Sequence, residues 1–185
     1  MNGRYLNREK VSRALYVGRF QPFHLGHLEA VKYMLRNSRE VIIVIGSAQH
    51  SHTLENPFTA GERAMMVRLA LDEAEIDPSR YFIIPVTDLD IHGIWVSHVV
   101  SFVPSFDVVY TNEPLTKRLF IESGFTVVSI PFFSRDVCSA TEIRRRILRD
   151  ENWEDLIPKS VVEFVRGIDG VKRLQELAKS DKVSA

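Results

Sequence analysis

The chain has 185 residues, 45% of them hydrophobic, and its 24 basic and 24 acidic side chains cancel to a formal net charge of zero. That length suits one domain with a substantial core, and the balanced charge excludes a global drive toward nucleic acid or an anionic membrane, so any affinity for anions must be local. The lone Cys138 excludes an internal disulfide, and with no apolar run of about 18 residues and no signal-peptide pattern a soluble cytoplasmic protein is expected.

Residues 1–12 are polar and aperiodic and are expected to form a frayed arm. Leu15-Tyr16-Val17 is a short buried-strand run, and from Leu28 the apolar residues Leu28, Val31, Met34 and Leu35 recur at the spacing of one helix face. Between them lies Gly18-Arg19-Phe20-Gln21-Pro22-Phe23-His24-Leu25-Gly26-His27, a strand-to-helix turn. A helix N-terminus presents unpaired N–H groups and the positive end of its dipole, so Gly26 at that point lets a phosphate approach the backbone. In a helical first turn His24 and His27 project to the same side, where both rings would meet one anion. The same pair could be metal ligands, although zinc needs three or four protein ligands, or a structural pair in which His24 caps and His27 packs.

Val41-Ile42-Ile43-Val44-Ile45 is a continuous β-branched run stopped by Gly46, the pattern of a strand buried on both faces in a parallel sheet. The aperiodic segment from Ser47 to Asn56 holds His50 and His52, a metal clip or two solvated side chains. Pro57 and the capping box from Thr59 to Glu62 then open a helix through Met65, Met66, Leu69 and Leu71. Tyr81 to Val86 reads as the third strand and Ile94 to Val103 as the next helix, with Trp95, Val99 and Phe102 along one edge. Asp107 to Tyr110 predicts a fourth strand, Asn112-Glu113-Pro114 starts a helix that ends at Gly124, and Phe125 to Val128 predicts a fifth strand. Strands alternating with helices in this way predict an α/β, Rossmann-like, doubly wound parallel sheet over residues 13–150. The helices of residues 151–180, beginning at Pro158, are expected to pack on the same domain as a small C-terminal helical subdomain, joined to the core by Trp153, Leu156 and Ile157.

A second chemical stretch runs from Cys138 to Arg149. Ser139 and Glu142 make a capping box, and on a helical wheel Ala140, Ile143, Ile147 and Leu148 form the apolar arc. Arg144 falls inside that arc, whereas Arg145, Arg146 and Arg149 fall opposite with Glu142 and read as a solvated face. A guanidinium on the apolar side needs a fixed anion, either a ligand or a protein carboxylate.

His-x-Gly-His after the first strand, followed near the other end by Ser-x-Thr-x-x-Arg, resembles the paired signatures of the nucleotidyltransferase superfamily. Gly-Arg-Phe-Gln-Pro-Phe-His, Gly-Ser-Ala-Gln-x-Ser-His, Asn56 to Arg63 and Thr-Glu-Ile-Arg-Arg-Arg resemble the archaeal type of nicotinamide-nucleotide adenylyltransferase, from about Leu15 to Ala178. The resemblance implies that the triphosphate is held by His24, Gly26 and His27, by Gly18, Arg19 and Phe20 beside them, and by Ser139, Thr141 and Arg144. His24, His27 and Arg144 are the implied catalytic residues. It implies that Trp95 stacks on the nicotinamide ring, with Asp88 and Leu89 in the same segment, and that His92 stands where the family usually has asparagine. The implied reaction transfers AMP from ATP to nicotinamide mononucleotide (NMN), giving NAD and pyrophosphate, with Mg²⁺ carried by the triphosphate rather than held by a protein metal site. A cytoplasmic homo-oligomer with no nucleic-acid or membrane partner is expected. The rivals are adenylyl transfer to another phosphorylated acceptor, such as pantetheine phosphate or FMN, and a nucleotide-binding regulatory module without turnover.

Overall fold

The computed structural model describes residues 11–131 and 139–183; Cys138 and residues 1–10 of the expected arm lie outside them. The five strands are β1 (Val11–Gly18), β2 (Ser38–Ile45), β3 (Tyr81–Pro85), β4 (Val108–Tyr110) and β5 (Val127–Val128). They form one parallel sheet in the order β3-β2-β1-β4-β5. The chain therefore winds outward from β1 to β3, returns to the centre and continues with β4 on the other side of β1. The carboxyl ends of β1 and β4 mark the switch point at which such sheets bind ligands.

Period-2 alternation splits the central strands between two cores. Ala14, Tyr16, Val41, Ile43 and Ile45 face one core, which is completed by buried residues of α1 (Leu25–Asn37), α2 (Ala60–Glu73), α5 (Ala140–Leu148), α6 (Lys159–Gly167) and α7 (Gly170–Val183). Leu15, Ile42 and Val44 face the other, covered by Val96 and Val99 of α3 (His92–Phe102) and Phe120 of α4 (Pro114–Glu122). Helices thus cover both faces, and the run Val41 to Ile45 is apolar throughout because neither face meets water.

The C-terminal helices are fixed from two sides. α6 packs on α2, and α7 packs on α5 and α6. Arg173 of α7 clasps Glu62 in the first turn of α2 through both carboxylate oxygens, at 2.7 and 2.8 Å. Where α7 begins, a Cβ on Gly170 would stand 2.9 Å from both Phe58 Cε1 and Val165 O, so the close approach of α7 requires glycine. Trp153, Leu156 and Ile157 are buried in the first core, as their placement in the sequence predicts.

Several expected boundaries are corrected. β1 begins at Val11, so residues 11 and 12 are strand rather than arm. Polar Ser12 and Arg13 conceal it, because Arg13 is satisfied across the sheet: its Nε meets Glu40 at 2.5 Å and its N–H donates to Asp107 Oδ2 at 2.9 Å. α3 begins at His92, two residues before the expected start. Met65, Phe102 and Leu148, each assigned to an apolar face, are 47%, 50% and 39% exposed. In α2 the buried face is instead Arg63, Met66, Val67, Ala70 and Leu71.

Candidate active site

The turn after β1 is built by packing around a left-handed residue. Phe20 has φ 52° and is 1% exposed, held by Tyr16 and Phe23 at ring distances of 5.6 Å and by His27 edge-on at 4.9 Å. A non-glycine residue there costs of order 1–3 kcal/mol and persists only where the surroundings enforce it. Gly18 is part of that enforcement, because a Cβ on it would lie 2.7 Å from Phe20 Cζ. Gln21 fastens the turn to the segment before α2: its amide donates to Phe58 O and accepts from Phe58 N, both at 3.0 Å.

His24 is the N-cap of α1 and His27 its third residue, and the two rings stack with centroids 3.5 Å apart. The His24 N–H donates to His27 Nδ1 at 3.3 Å. An accepting Nδ1 places the proton of the neutral His27 ring on Nε2, which leaves Nε2–H as its donor. Burial lowers the His24 pKa from 6.5 to about 4, and burial followed by the neighbouring His24 lowers that of His27 well below 6.5. His24 Nδ1 is buried with no partner among the described residues. Both rings are therefore neutral donors and acceptors in the free protein.

A cavity of about 390 Å³ opens over this pair. Gly18, Arg19, Phe20, His24, Gly26 and His27 line one side, and Ser139, Thr141 and Arg144 the other. The N-termini of α1 and α5 thus converge on one space, an arrangement suited to anions. Ser139 caps α5 by accepting the Glu142 N–H at 3.1 Å. The expected reciprocal half of that capping box is absent, because the Glu142 carboxylate is taken by Arg145 and Arg146. Arg145 also reaches Glu151, and Arg146 donates to Asn152 O, so these two arginines tie α5 to the following turn rather than form a solvated face. Arg149 is the solvated one, with a side chain 65% exposed.

Arg144 enters the cavity as its wheel position predicts. Nη1 donates to Gln21 O at 2.8 Å, and among the described residues no carboxylate lies within ion-pair distance of it. Burial and the nearby Arg19 charge lower its pKa. The carboxylate pairing left open by the wheel is therefore not what the structure contains; a carbonyl orients the guanidinium, and the Glu55 charge acts on it only from beyond ion-pair distance.

A second cavity, of about 540 Å³, adjoins the first and shares Arg19 and Glu113 with it. Asp88, Leu89, His92 and Trp95 line it together with His50. Trp95 is half-buried: its ring meets Phe120 edge-on at 5.7 Å and its indole N–H donates to Asp88 Oδ1 at 3.3 Å. It belongs at once to the core edge and to the cavity wall. Asp88 is held in turn by the Ser47 hydroxyl at 2.5 Å and, through its own N–H, by Gln49 Oε1 at 2.9 Å. His52 bonds only Ser51 among the described residues, and no group of three or more metal-ligating side chains occurs among them.

Sequence reasoning missed several residues that shape these walls. Thr111 and Asn112 follow β4 and line the first cavity; Asn112 bonds the main chain of Ile130 in both directions, at 2.7 and 3.0 Å. Ser47 and Arg63 lie behind the walls: Ser47 bonds Asp88, and Arg63 bonds the main chain of Arg19 and His50. Arg63 carried a readable signal, since it opens the stripe Arg63, Met66, Val67, Ala70, Leu71 just as Arg144 interrupts its own.

Comparison with known proteins agrees with this geometry. Residues 15–146 match the cytidylyltransferase-like family model. A nicotinamide-nucleotide adenylyltransferase of Pyrococcus horikoshii is 54% identical over 166 residues, covering 90% of this chain and 89% of that protein. One of Methanolobus tindarius is 52% identical over 170 residues, covering 92% and 96%. Among solved structures, a bifunctional NMN adenylyltransferase/ADP ribose pyrophosphatase of Francisella tularensis superposes with a TM-score of 0.78 at 24% identity; the match covers 94% of this chain and 54% of that one. The same bifunctional protein has also been solved with AMP and a manganese ion. With a matching family model over most of its length and archaeal relatives about half identical, the chain belongs to the cytidylyltransferase-like family, among the archaeal nicotinamide-nucleotide adenylyltransferases.

Proposed function

We propose that the protein transfers AMP from ATP to nicotinamide mononucleotide, forming NAD and pyrophosphate. The observation that carries this reading is the meeting of two cavities at Arg19, one ringed by two helix N-termini, a histidine pair and Arg144, the other walled by Trp95. ATP occupies the first through Gly18, Arg19, Phe20, His24, Gly26, His27, Ser139, Thr141 and Arg144. The acceptor occupies the second through Asp88, Leu89, His92 and Trp95, its pyridinium against the indole, a contact worth about 0.5–2 kcal/mol.

The acceptor's 5′-phosphate oxygen attacks the α-phosphorus of ATP; a P–O bond forms, the bond to the bridging α–β oxygen breaks, and pyrophosphate leaves with that electron pair. The nucleophile is already an anion at neutral pH, so the protein supplies position and charge neutralisation rather than a base. His24, His27 and Arg144 act on the non-bridging oxygens and the leaving group. The described residues do not form a protein metal cage. We read the divalent ion, Mg²⁺, as part of the substrate, carried in by the triphosphate.

We read residues 13–150 and 151–180 as one domain, supported by the packing of α6 on α2 and of α7 on α5. No helix among the described residues is long and apolar enough to cross a membrane. A cytoplasmic homo-oligomer without a nucleic-acid partner is the assembly we propose, supported by the neutral net charge and by the exposed Ile91, Ile94, Phe102 and Ile121 of α3, α4 and the segment before α3. The experiment is an acceptor panel of NMN, pantetheine phosphate and FMN with ATP and Mg²⁺, following pyrophosphate. Turnover is expected with NMN, with NAD as product; a higher kcat/KM for another acceptor refutes the assignment.

A further inference from the structure

Arg63 is 0% exposed, and among the described residues no carboxylate touches it, the Asp88 charge acting on it only from beyond ion-pair distance. Its guanidinium donates instead to main-chain carbonyls: Nη1 to Arg19 O at 3.0 Å and Gly46 O at 2.8 Å, Nη2 to Ser47 O at 3.0 Å and His50 O at 3.5 Å, and Nε to Thr59 O at 3.3 Å. Those carbonyls come from three places: the turn after β1, the loop after β2, and the N-cap of α2. A buried charge with no carboxylate in contact is costly, and removing such a donor would strand several buried acceptors at once, so the arrangement is a strong mutual constraint.

The bonded segments are the ones that form the two cavities. Arg19 lines both, and His50 lines the second. Ser47, left-handed at φ 51° and 8% exposed, turns its carbonyl to Arg63 and its hydroxyl to Asp88, and Asp88 accepts the Trp95 indole N–H. A continuous chain of hydrogen bonds therefore runs from Arg63 through Ser47 and Asp88 to Trp95, while a second arm runs from Arg63 to the backbone of Arg19.

We propose that Arg63 is a positioning residue for adenylyl transfer: its planar fork sets the triphosphate turn and the acceptor wall at a fixed separation, so that the attacking phosphate and the α-phosphorus meet in line. The inference rests on the reaction proposed above. It follows that loss of the fork disturbs both substrates together, whereas cutting the Ser47 arm disturbs the acceptor alone. Lysine, a single ammonium with three donors, cannot span carbonyls that approach from both edges of a planar guanidinium.

The test compares wild type, Arg63→Lys, Arg63→Met and Ser47→Ala, measuring melting temperature, the Kd of ATP and of NMN by calorimetry, and both KM values with kcat at a temperature where each protein is folded. Arg63→Lys should raise both KM values several-fold and lower kcat at least ten-fold while remaining folded, with Arg63→Met more severe. Ser47→Ala should raise the acceptor KM and Kd several-fold with the ATP values within two-fold. A purely structural role predicts a lowered melting temperature with both KM values and kcat of Arg63→Lys within two-fold of wild type, and that result overturns the proposal. If neither Arg63 variant folds, Ser47→Ala decides: an unchanged acceptor KM overturns the linkage and a selective rise supports it. Wild-type protein that binds ATP and NMN yet makes no NAD refutes the reaction, whereas wild-type turnover with indifferent variants refutes only the role of Arg63.

Discussion

Acidification should destabilise this protein through its own phosphate site. In an unfolded chain His24 titrates near 6.5, whereas burial in the fold holds it down to about 4. A group with a depressed folded pKa stays neutral in both states above the unfolded value. As pH falls below it, the unfolded chain takes up protons that the fold refuses, and stability drops until the folded pKa is reached. Between pH 7.5 and pH 5 the difference amounts to about 2 kcal/mol from His24 alone, at 1.36 kcal/mol per unit. His27 is lowered as well, and stacking at 3.5 Å makes two cations on the pair unfavourable, so the measured loss should equal or exceed that figure. The carboxylates that the fold depresses, Glu62 and Glu142 among them, lose their stabilisation mainly below this window, and what they lose within it is common to wild type and variant. The assay is urea denaturation from pH 7.5 to 5.0 on wild type and on the double variant His24→Gln, His27→Gln. The midpoint should fall with pH in wild type and much less in the variant. Parallel profiles would show that the pair titrates normally and that its burial carries no electrostatic consequence.

The other expectations concern activity and packing. His27→Ala removes a donor held by the His24 backbone and should slow turnover by about 100-fold or more with the fold retained, a loss of about 2.7–4 kcal/mol of transition-state stabilisation; a near-normal rate would make His27 a packing residue. Arg144→Ala should weaken ATP binding and turnover in steady-state assays, while Arg149→Ala, with its solvated side chain, should stay within about ±0.5 kcal/mol in stability and leave kcat/KM unchanged. Trp95→Ala should raise the acceptor KM several-fold with the ATP KM nearly unchanged, and equal changes in both would refute its assignment to one cavity. Gly18→Ala drives a Cβ into Phe20 and should cost about 1–3 kcal/mol in thermal denaturation, as overpacking does, with turnover falling alongside; an unaffected melting temperature would mean that the ring yields freely.

What could be read from the residues followed from periodicity and local chemistry. Val41 to Ile45 announces a central strand because both of its faces are dry. The turn at Gly18 to His27 announces itself by joining an apolar run to a helical stripe, and Arg144 by its position on the wheel. What stayed hidden depends on partners far away in sequence. Ser12 and Arg13 do not look like strand until Glu40 and Asp107 are placed beside them. Gln21 and Asn112 look like ordinary loop polarity until Phe58 and Ile130 supply their main-chain bonds. Arg63, like Arg144, is an arginine on a mostly apolar helix face. The α2 stripe shows itself only once Met65 is seen to be 47% exposed and Arg63 buried.

Arg144 keeps its positive charge in the cavity because of what holds it. Arg63 and Arg144 both begin from apolar stripes, and both orient their guanidinium with backbone carbonyls instead of carboxylates. A carboxylate partner would fix the side chain equally well, but it would cancel the charge and leave little field in the cavity. A carbonyl satisfies the donors and holds the fork in place while the positive charge persists, at the cost of a lowered pKa, to about 10 for Arg63. Arg19 adds to that penalty in both cases, and the more distant charges of Asp88 for Arg63 and Glu55 for Arg144 offset part of it. Arg19 and Arg144 line the cavity and repel each other beside two neutral histidines, and a bound polyanion relieves that repulsion. Binding a triphosphate should therefore stabilise the fold beyond what its contact area alone would supply, and raised salt should weaken that gain by screening the exposed Arg19 first.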